Sequence, residues 1–505
     1  MLVTSLGDIF VTNDGVTILD EMDIDNPTAE MIVEVAETQE DEAGDGTTTA
    51  VSVAGELLKG AEDLLDQDIH PTAIIRGFNM ASERAREEID EMAVEVDRED
   101  EEILRKVAET SMTGKGAEQH KDTLAQLVVD AARAVTVEAE DGSHVVDLAF
   151  LQTETATGGS AGESELIHGG VIDKNQLHED MPLEAEGDVL LLDSPLELEE
   201  ADVDTQVSVS DPDQLQDFIA QEEEQLKGLV DEIVDLGADV VICQKGIDDM
   251  VQHYLAKEGI LAMRRVKKSD LEFLREVVGA NIVSDLESAT AADLGSGTVT
   301  RDTDAEHYII EGGEDAHGVT LFLRGSTEHV VDELERGVQD ALDVVADTIT
   351  EGTVLPGGGA PETEVAARLR DYADGVSGRE QLAVEAFADA LDVIPRTLAE
   401  NSGLDPIDTL VDLRSAHDSG QVRAGLNVFS GDVEDTFEAG IVEPAHAKRQ
   451  AVSSATEAAN LVLKIDDIIS AGDLSTGGDD EEGAPGGGMG GMGGMGGMGG
   501  MGGAM

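Results

Sequence analysis

Residues 42–50, with the sequence EAGDGTTTA, have the composition of an anion-binding loop. Gly44 and Gly46 allow the backbone to turn tightly and to approach a ligand closely. The next apolar-periodic segment opens with three threonines, Thr47, Thr48 and Thr49. The first N–H groups of a helix and the positive end of its dipole favour phosphate oxygens. Asp45 would repel phosphate unless a cation lay between them, so the pattern suggests a Mg²⁺-nucleotide site.

A second interpretation of this loop needs no ligand. An aspartate followed by glycine and threonine is also typical of a helix N-cap, in which the side chain accepts a hydrogen bond from the first helical turn. Short motifs of this kind also match by chance. The loop by itself therefore leaves both interpretations open.

Two amphipathic helices are predicted to hold the loop in place. Asn26 and Pro27 have the residue types of an N-cap and a first helical position, and an apolar stripe follows them. A second stripe follows the loop, from Val51 to Leu65. Upstream, residues 6–19 form two β-favouring runs around an Asn-Asp-Gly turn, which predicts a β-hairpin there.

The composition of the chain changes near residues 97, 166 and 317. Helical periodicity dominates before 166 and after 317, whereas short apolar runs alternate with helical stripes between them, as in an α/β unit. A long helix is predicted from Pro212, with its acidic middle at residues 222–225 projecting into solvent. The Gly-Gly-Met repeats near the end cannot bury a core, and they predict a flexible tail.

The net charge of −80, from 31 basic and 111 acidic residues, indicates a high-salt cytosol, because such a chain repels itself at low salt. The same charge disfavours nucleic acid and anionic membranes as partners. Cys243 is the only cysteine, which excludes an intrachain disulfide and predicts a packed, inert thiol. No apolar run reaches about 18 residues, and the first residues do not have the charged-then-apolar pattern of a signal, so a cytoplasmic location is expected. The basic island at residues 264–268 is expected to pair with local acids.

Several segments, in order along the chain, resemble the group II chaperonins, and most closely the archaeal thermosome subunits of halophilic type. They are residues 12–19 (TNDGVTIL), 44–50 (GDGTTTA), 356–362 (PGGGAPE), 401–408 (NSGLDPID) and 454–459 (SATEAA). Residues 240–265 resemble the substrate-handling domain of that family, and the Gly-Gly-Met tail is also shared. Many motifs in register are far more specific than any one of them.

The resemblance implies a multidomain α/β fold, chaperonin-like, with an α-helical equatorial domain, a small intermediate domain and an α/β apical domain with a helical protrusion. Together with the composition shifts it predicts these parts: equatorial 1–96 and 354–475, intermediate 97–165 and 317–353, apical 166–316 with a protrusion around 205–236, and a disordered tail 476–505. Both ends of the chain would thus build one ATPase domain.

Residue roles follow from the resemblance one position at a time. It implies a phosphate and metal site in Gly44, Asp45, Gly46, Thr47, Thr48 and Thr49, with Asp45 as the Mg²⁺ ligand. Asp340 matches an aspartate that positions the attacking water, although its position alone suggests a solvated helix face. Asp14 matches a carboxylate near the γ-phosphate, although a hairpin turn would also explain it.

Four further residues are implied in nucleotide binding. Gly358 matches a glycine that touches the nucleotide, where a plain helix-breaking loop is the alternative. Asn427 and Val428 fall near the expected base pocket, and Glu443 stands where an acidic residue contacts the ribose. The implied cofactors are ATP and Mg²⁺, with K⁺ as a further cation. Positioning and charge neutralisation by these groups would suit phosphoryl transfer to water.

The leading hypothesis is an ATP-dependent chaperone subunit of a double ring, with homologous or paralogous subunits as partners and non-native proteins as substrates. The family has about fifty further residues upstream, including a Leu-Gly-Pro-Lys-Gly phosphate loop, in keeping with a domain completed by both termini. We therefore expect the native start to lie before Met1. The alternative is a holdase or structural ring subunit impaired in ATP hydrolysis, and a third hypothesis is an unrelated monomeric ATPase.

Overall fold

The computed structural model describes residues 2–3, 9–10, 12, 15–22, 24–115, 120–139, 144–198, 212–313 and 317–465. The helices, in chain order, are α1 (Gly15–Asp20), α2 (Pro27–Ala43), α3 (Thr47–Asp66), α4 (Pro71–Met92), α5 (Glu101–Ser111), α6 (Lys121–Ala134), α7 (Pro212–Leu236), α8 (Asp249–Glu258), α9 (Lys268–Val278), α10 (Glu328–Glu351), α11 (Ala360–Ala373), α12 (Glu380–Leu391), α13 (Val393–Asn401), α14 (Pro406–Asp418) and α15 (Ala445–Val462).

The strands, in chain order, are β1 (Leu2–Val3), β2 (Ile9–Phe10), β3 (Val94–Glu95), β4 (Thr136–Glu138), β5 (His144–Val146), β6 (Leu151–Thr157), β7 (Glu165–Ile167), β8 (Gly170–Asp173), β9 (Glu184–Leu192), β10 (Val240–Cys243), β11 (Leu261–Met263), β12 (Ile282–Val283), β13 (Gly295–Asp302), β14 (His307–Gly312), β15 (Val319–Gly325), β16 (Thr353–Pro356), β17 (Ala424–Asn427), β18 (Asp432–Asp435) and β19 (Val442–Pro444). The predicted tail and Asp14 lie outside the described residues.

A helical core joins the two ends of the chain. Helices α3 and α4 from the first end pack with α11, α12 and α15 from the second, because each carries an apolar stripe at helical spacing. Leu57, Phe78 and Phe387 are fully buried there, and the two phenylalanine rings meet edge to face with centroids 6.0 Å apart. Strand β3 also pairs with β16, which places Val94 opposite Val354.

The predicted hairpin at residues 6–19 is wrong in its second half. Residues 15–20 form helix α1, although Val16, Thr17 and Ile18 favour strands. The helix packs against α2 and α3, and a Cβ atom at Gly15 would lie 2.4 Å from Thr48 Oγ1. Tertiary packing therefore outweighs the local β propensity. A short antiparallel pair exists further upstream, between β1 and β2.

A second core lies between α5, α6 and α10 and includes β15. Strand β15 pairs with β6 in parallel and with β7 in antiparallel orientation. Val128, Leu321 and Leu342 are buried among these elements. Helix α10 runs from this core to the helical core of the chain ends, where it contacts α2 and α15.

A seven-stranded mixed sheet carries two apolar faces. Six strands follow the order β11-β10-β9-β13-β14-β8. The seventh strand, β12, lies outside this order and pairs with β9. Alternate residues of β9 face opposite sides, so that Val189 and Leu191 join the core containing α9, and Leu190 and Leu192 join the core containing α7 and α8. These buried parallel strands confirm the predicted α/β character of this part of the chain.

Helix α7 begins at Pro212, as predicted, and Glu223, Glu224 and Gln225 are exposed. Its last turns are buried against α8 through Leu226 and Val230. No helix in the described part of the chain combines the length and the apolar character that a membrane crossing needs. The predicted domain boundaries stay predictions.

The basic island is paired with acids only in part. Arg264 lies 3.8 Å from Asp249, and Lys268 lies 3.3 Å from Glu272. Arg265 and Lys267 are exposed, and no described carboxylate lies within 4.0 Å of either. Lys267 nevertheless acts on local acids: burial raises the pKa of Asp270 and of Glu335, and the Lys267 charge opposes both rises. Only for Arg265 do the described residues show no acidic neighbour. Cys243 is buried, and this burial raises the pKa of its thiol to about 11, which agrees with an inert role.

Candidate functional site

The loop between α2 and α3 turns through two left-handed glycines. Gly44 ends α2 with a φ of 60°, and Gly46 begins α3 with a φ of 82°. A Cβ atom at Gly44 would lie 2.3 Å from Asp343 Cβ on α10. Glycine is therefore required both by the backbone conformation and by the close approach of α10. This contact holds Asp45 beside the helix that carries Asp340.

Three helices begin at one cleft, which encloses about 1160 Å³ including its open mouth. They are α3, α11 and α15, and no described side chain caps any of their N-termini. Asp100 and Asp405 cap α5 and α14 by accepting N–H groups of the first turn, but α6, α9, α12 and α13 also lack a side-chain cap. The convergence of three helix starts on one cleft therefore distinguishes this place, and the missing caps alone do not. The positive dipole ends of these helices are directed at the cleft, and the first turns of α3 and α15 add N–H donors, which together favour an anion. At α11 the donors are fewer, because Pro361 has no N–H and the Ala360 N–H donates to the Gly357 carbonyl.

Asp340 lies next to this cleft through an ion pair. Asp340 is 8% exposed. Its carboxylate contacts the ammonium of Lys115, and Lys115 lines the cleft. One turn further along α10, Val344 lines the same cleft. Burial raises the pKa of Asp343 to about 6; Gln339, which donates to this carboxylate, opposes the rise and the Asp340 charge adds to it. Asp45 and the partner of Asp340 thus share one cleft.

Lys448 forms a buried triad with Glu362 and Glu443 at the same cleft. Its ammonium lies 2.8 Å from Glu362 Oε1 and 2.5 Å from Glu443 Oε2. Burial would lower the pKa of Lys448, but the two carboxylates outweigh burial and raise it. Burial raises the pKa of Glu443 against the attraction of Lys448. Glu362 Oε2 is buried without a hydrogen-bond partner among the described residues.

A second cleft, of about 880 Å³ including its mouth, adjoins the first through shared lining residues that include Thr110 and Glu443. Gly358 lines it with a φ of 68°, and a Cβ atom there would lie 2.4 Å from the Leu426 carbonyl oxygen. Asn427 also lines it and donates to Glu434 over 2.7 Å. Phe429 is 66% exposed, and the Lys121 ammonium lies 5.0 Å from its ring centroid.

The structure places the predicted site residues as follows. The first cleft is lined by Asp45, Gly46, Thr48, Thr49 and Glu443, and the second by Gly358, Asn427, Val428 and Glu443. Gly44 packs on Asp343 instead, and Thr47 is buried outside the lining. Asp340 reaches the first cleft through Lys115. Asp14 lies outside the described residues, and the chemical roles of all these residues stay predictions.

Sequence reasoning missed Lys115, Lys448 and Gln39. Lys115 follows Thr113 and Gly114, a composition that is itself typical of phosphate-binding loops. Lys448 is one of only 31 basic residues, and it follows the predicted ribose contact Glu443 within the same short segment. A lysine at that position was therefore a usable signal of a binding site. Gln39 gives no such signal, because its contacts depend on Ala447, a residue 408 positions away.

The residues at the first cleft fit a nucleotide with its metal better than a metal alone. Among the described residues, no group of three or more His, Cys, Asp or Glu side chains could hold a metal ion. Mg²⁺ is commonly bound by one or two carboxylates together with substrate phosphates. Asp45 beside three uncapped helix N-termini offers that combination.

Comparisons with known proteins agree with this geometry. Residues 1–473 match the TCP-1/cpn60 chaperonin family. The chain is 72% identical over 491 residues to thermosome subunit 2 of Haloferax volcanii, covering 96% of this chain and 88% of the relative. It is 67% identical over 479 residues to thermosome subunit beta of Halobacterium salinarum, covering 94% and 86%.

A solved structure shows the same fold. The open-state monomer of a group II chaperonin from Methanococcoides burtonii is 43% identical and superposes with a TM-score of 0.62. The superposition covers 83% of this chain and 100% of that one. The chain therefore belongs to the TCP-1/cpn60 chaperonin family, and it is a chaperonin of the group II type.

Proposed function

We propose that this chain is an ATP-driven chaperonin subunit that hydrolyses Mg²⁺-ATP in the first cleft and uses the cycle to enclose and fold non-native proteins. One observation carries the proposal: three uncapped helix N-termini, Asp45 and the Lys115–Asp340 pair converge on one cleft. The adjoining second cleft would take the nucleoside, with Glu443 between the two.

Binding of the triphosphate follows from the N–H groups of the cleft. The first turn of α3, with Thr48 and Thr49 at the lining, would receive phosphate oxygens. Asp45 would hold Mg²⁺ against them, with K⁺ as a further screening cation. A bound Mg²⁺ supplies neutralisation of charge on the phosphates.

Hydrolysis needs a group that accepts a proton from, and orients, the attacking water. We assign this role to Asp340, whose carboxylate is occupied by Lys115 in this structure. Phosphate oxygens in the cleft would compete for the Lys115 ammonium, because charge-assisted hydrogen bonds to phosphate are strong. That exchange would move the Lys115 ammonium away from the Asp340 carboxylate when nucleotide is bound.

We further propose assembly with paralogous subunits in the cytoplasm of a halophile. Haloferax volcanii has two relatives, thermosome subunits 1 and 2, which are 58% and 72% identical to this chain. The holdase alternative is not favoured, because the chain belongs to the chaperonin family and is 72% and 67% identical to thermosome subunits. The expected upstream segment stays a prediction.

The test is ATP turnover by the purified assembly in concentrated KCl. Asp340→Ala should lower kcat by about 10²–10⁴, the usual contribution of general acid–base catalysis. Asp332→Ala, another aspartate of α10, is the matched control and should leave turnover unchanged. Unaltered turnover in Asp340→Ala, at normal thermal stability and assembly size, would exclude this assignment.

A further inference from the structure

Gln39 is a fully buried polar residue beneath the Asp45 loop. It lies in the last turns of α2 and is 0% exposed. Its side-chain amide Nε2 donates to the backbone carbonyl of Asp45 over 2.8 Å and to that of Ala447 over 3.3 Å. One amide group therefore ties the loop before α3 to the first turn of α15.

The orientation of this amide is determined by its partners. Both are carbonyl oxygens, which only accept, so the NH₂ group must face them. Gln39 Oε1 is then left buried, without a hydrogen-bond partner among the described residues. Burial of an unpaired oxygen is unfavourable, and an apolar side chain of similar size would avoid it. Packing alone does not explain a glutamine at this position.

The two carbonyl groups belong to residues that line the first cleft. Asp45 and Ala447 both line it, and Ala447 precedes Lys448 of the buried triad. A Cβ atom at Gly46 would lie 3.2 Å from Gln39 Nε2, so the amide also contacts the second glycine of the loop closely. With its carbonyl held, the peptide between Asp45 and Gly46 has a fixed orientation, which limits the directions in which the Asp45 side chain can point.

We propose that Gln39 is a positioning residue that holds the Asp45 loop in the geometry needed for the metal of a bound nucleotide. This inference rests on the proposed function, in which Asp45 binds Mg²⁺. A residue that merely filled the core would affect thermal stability without changing the dependence on metal. A positioning residue should change the affinity for metal more than it changes stability.

The experiment measures ATP turnover of the full chain against Mg²⁺ concentration, for Gln39→Leu and Gln39→Glu. Both variants should raise the Mg²⁺ concentration for half-maximal turnover by about 10–100-fold, as residues that orient metal ligands usually do. Gln450→Leu is the control, because Gln450 joins α15 to the Glu42 side chain without contacting the Asp45 carbonyl. It should leave the Mg²⁺ dependence unchanged.

The pH profile adds a readout that a packing role would not give. In Gln39→Glu an ionised carboxylate would face two carbonyl oxygens, and it would repel them. At lower pH the protonated carboxyl can donate to one of them, and burial raises the pKa of such a group. The defect of Gln39→Glu should therefore shrink as pH falls from 8 towards about 6, whereas that of Gln39→Leu should not.

A separate measurement distinguishes the inference about Gln39 from the proposed function. Binding of Mn²⁺ in the presence of ADP, followed by electron paramagnetic resonance, needs no turnover and should weaken in both Gln39 variants. Wild-type metal dependence in folded Gln39→Leu and Gln39→Glu would overturn the inference while leaving the proposed function intact. Should both variants unfold, Gln39→Met provides the unbranched apolar replacement and is judged by the same criterion. Absence of turnover in the wild type would instead count against the proposed function, and Mn²⁺ binding would still decide the role of Gln39.

Discussion

Two sets of charges that are at least half-buried in this chain are built in opposite ways. The triad at the first cleft sets one ammonium, Lys448, against two carboxylates, and Glu362 Oε2 has no hydrogen-bond partner among the described residues. The pair between strands β13 and β15 sets Arg324 against Asp302 over 2.6 Å. Asp302 also accepts the N–H groups of Asp304 and Ala305, and the Arg324 guanidinium lies over the Phe322 ring.

We call the Arg324–Asp302 pair the joint, because it connects two strands. Its difference from the triad distinguishes a structural ion pair from a binding site. The pair between the strands is neutral, and both carboxylate oxygens of Asp302 accept hydrogen bonds. Burial alone would raise the pKa of Asp302, but the N–H groups of Ala305 and Asp304 and the guanidinium of Arg324 hold it below its usual value. The triad sets two carboxylates against one ammonium, and one of its carboxylate oxygens has no hydrogen-bond partner among the described residues. Departures from internal consistency of this kind are expected where a protein binds a ligand.

The largest expected effect is at the triad. Lys448→Met would leave two buried carboxylates without their cation, and breaking a buried pair by removing one partner costs about 3–5 kcal/mol. Urea unfolding at constant KCl measures the loss. The double variant Lys448→Met/Glu362→Gln should recover part of it, because one of the two unpaired charges is removed.

The matched control for this prediction is an exposed lysine. Lys59→Met removes an ion pair with Glu56 whose lysine side chain is 66% exposed, and it should cost less than about 1 kcal/mol. If the two lysine variants were equally stable, the triad would contribute no more than a surface pair. The comparison between site and joint would then fail.

The next effect concerns Asp343, a half-buried acid three residues after Asp340 on α10. Burial raises its pKa from 3.8 to about 6, so the folded state binds the proton more tightly than the unfolded state does. The ionised form therefore destabilises the fold above about pH 6, by at most about 3 kcal/mol. The cost decreases as pH falls from about 6 to about 4, and it is absent when both states are protonated.

Asp343→Asn should accordingly be more stable than the wild type at pH 8, and the difference should disappear near pH 4. Thermal midpoints across this range provide the measurement. A difference between Asp343→Asn and wild type that grew on acidification would contradict the assigned cause.

The sequence could predict those parts of the site that depend on short stretches of chain. The glycines of residues 42–50 and Gly358 have their left-handed backbone because the local turn and a close neighbour require it, and glycine spacing shows this directly. The buried strands β9 and β10 were equally readable, as continuous apolar runs. Family resemblance supplied Asp340, which spacing alone would have assigned to solvent.

The rest depended on contacts between distant positions. The role of Gln39 depends on its contact with Ala447. The role of Lys115 depends on its contact with Asp340, which lies 225 positions further on. The hairpin prediction was wrong because it, too, ignored contacts with other elements. Residues 16–18 favour a strand in isolation and are helical where they pack against α2 and α3. Local pattern therefore identified the loops, and tertiary packing decided which charged side chains they face.

The smallest predicted effect is at the joint between the strands. Arg324→Gln removes one charge-assisted hydrogen bond but leaves Asp302 its two backbone donors, so the cost should be about 1.5 kcal/mol, the low end for bonds to a charged group. Arg133→Gln, whose ion pair with Glu101 is 42% and 52% exposed, should cost less than about 1 kcal/mol under the same urea titration. ATP turnover should be unchanged in both, because neither arginine lines either cleft. A cost for Arg324→Gln as large as that for Lys448→Met would show that the joint is not self-sufficient, and the distinction between a binding site and a structural pair would have to be drawn elsewhere.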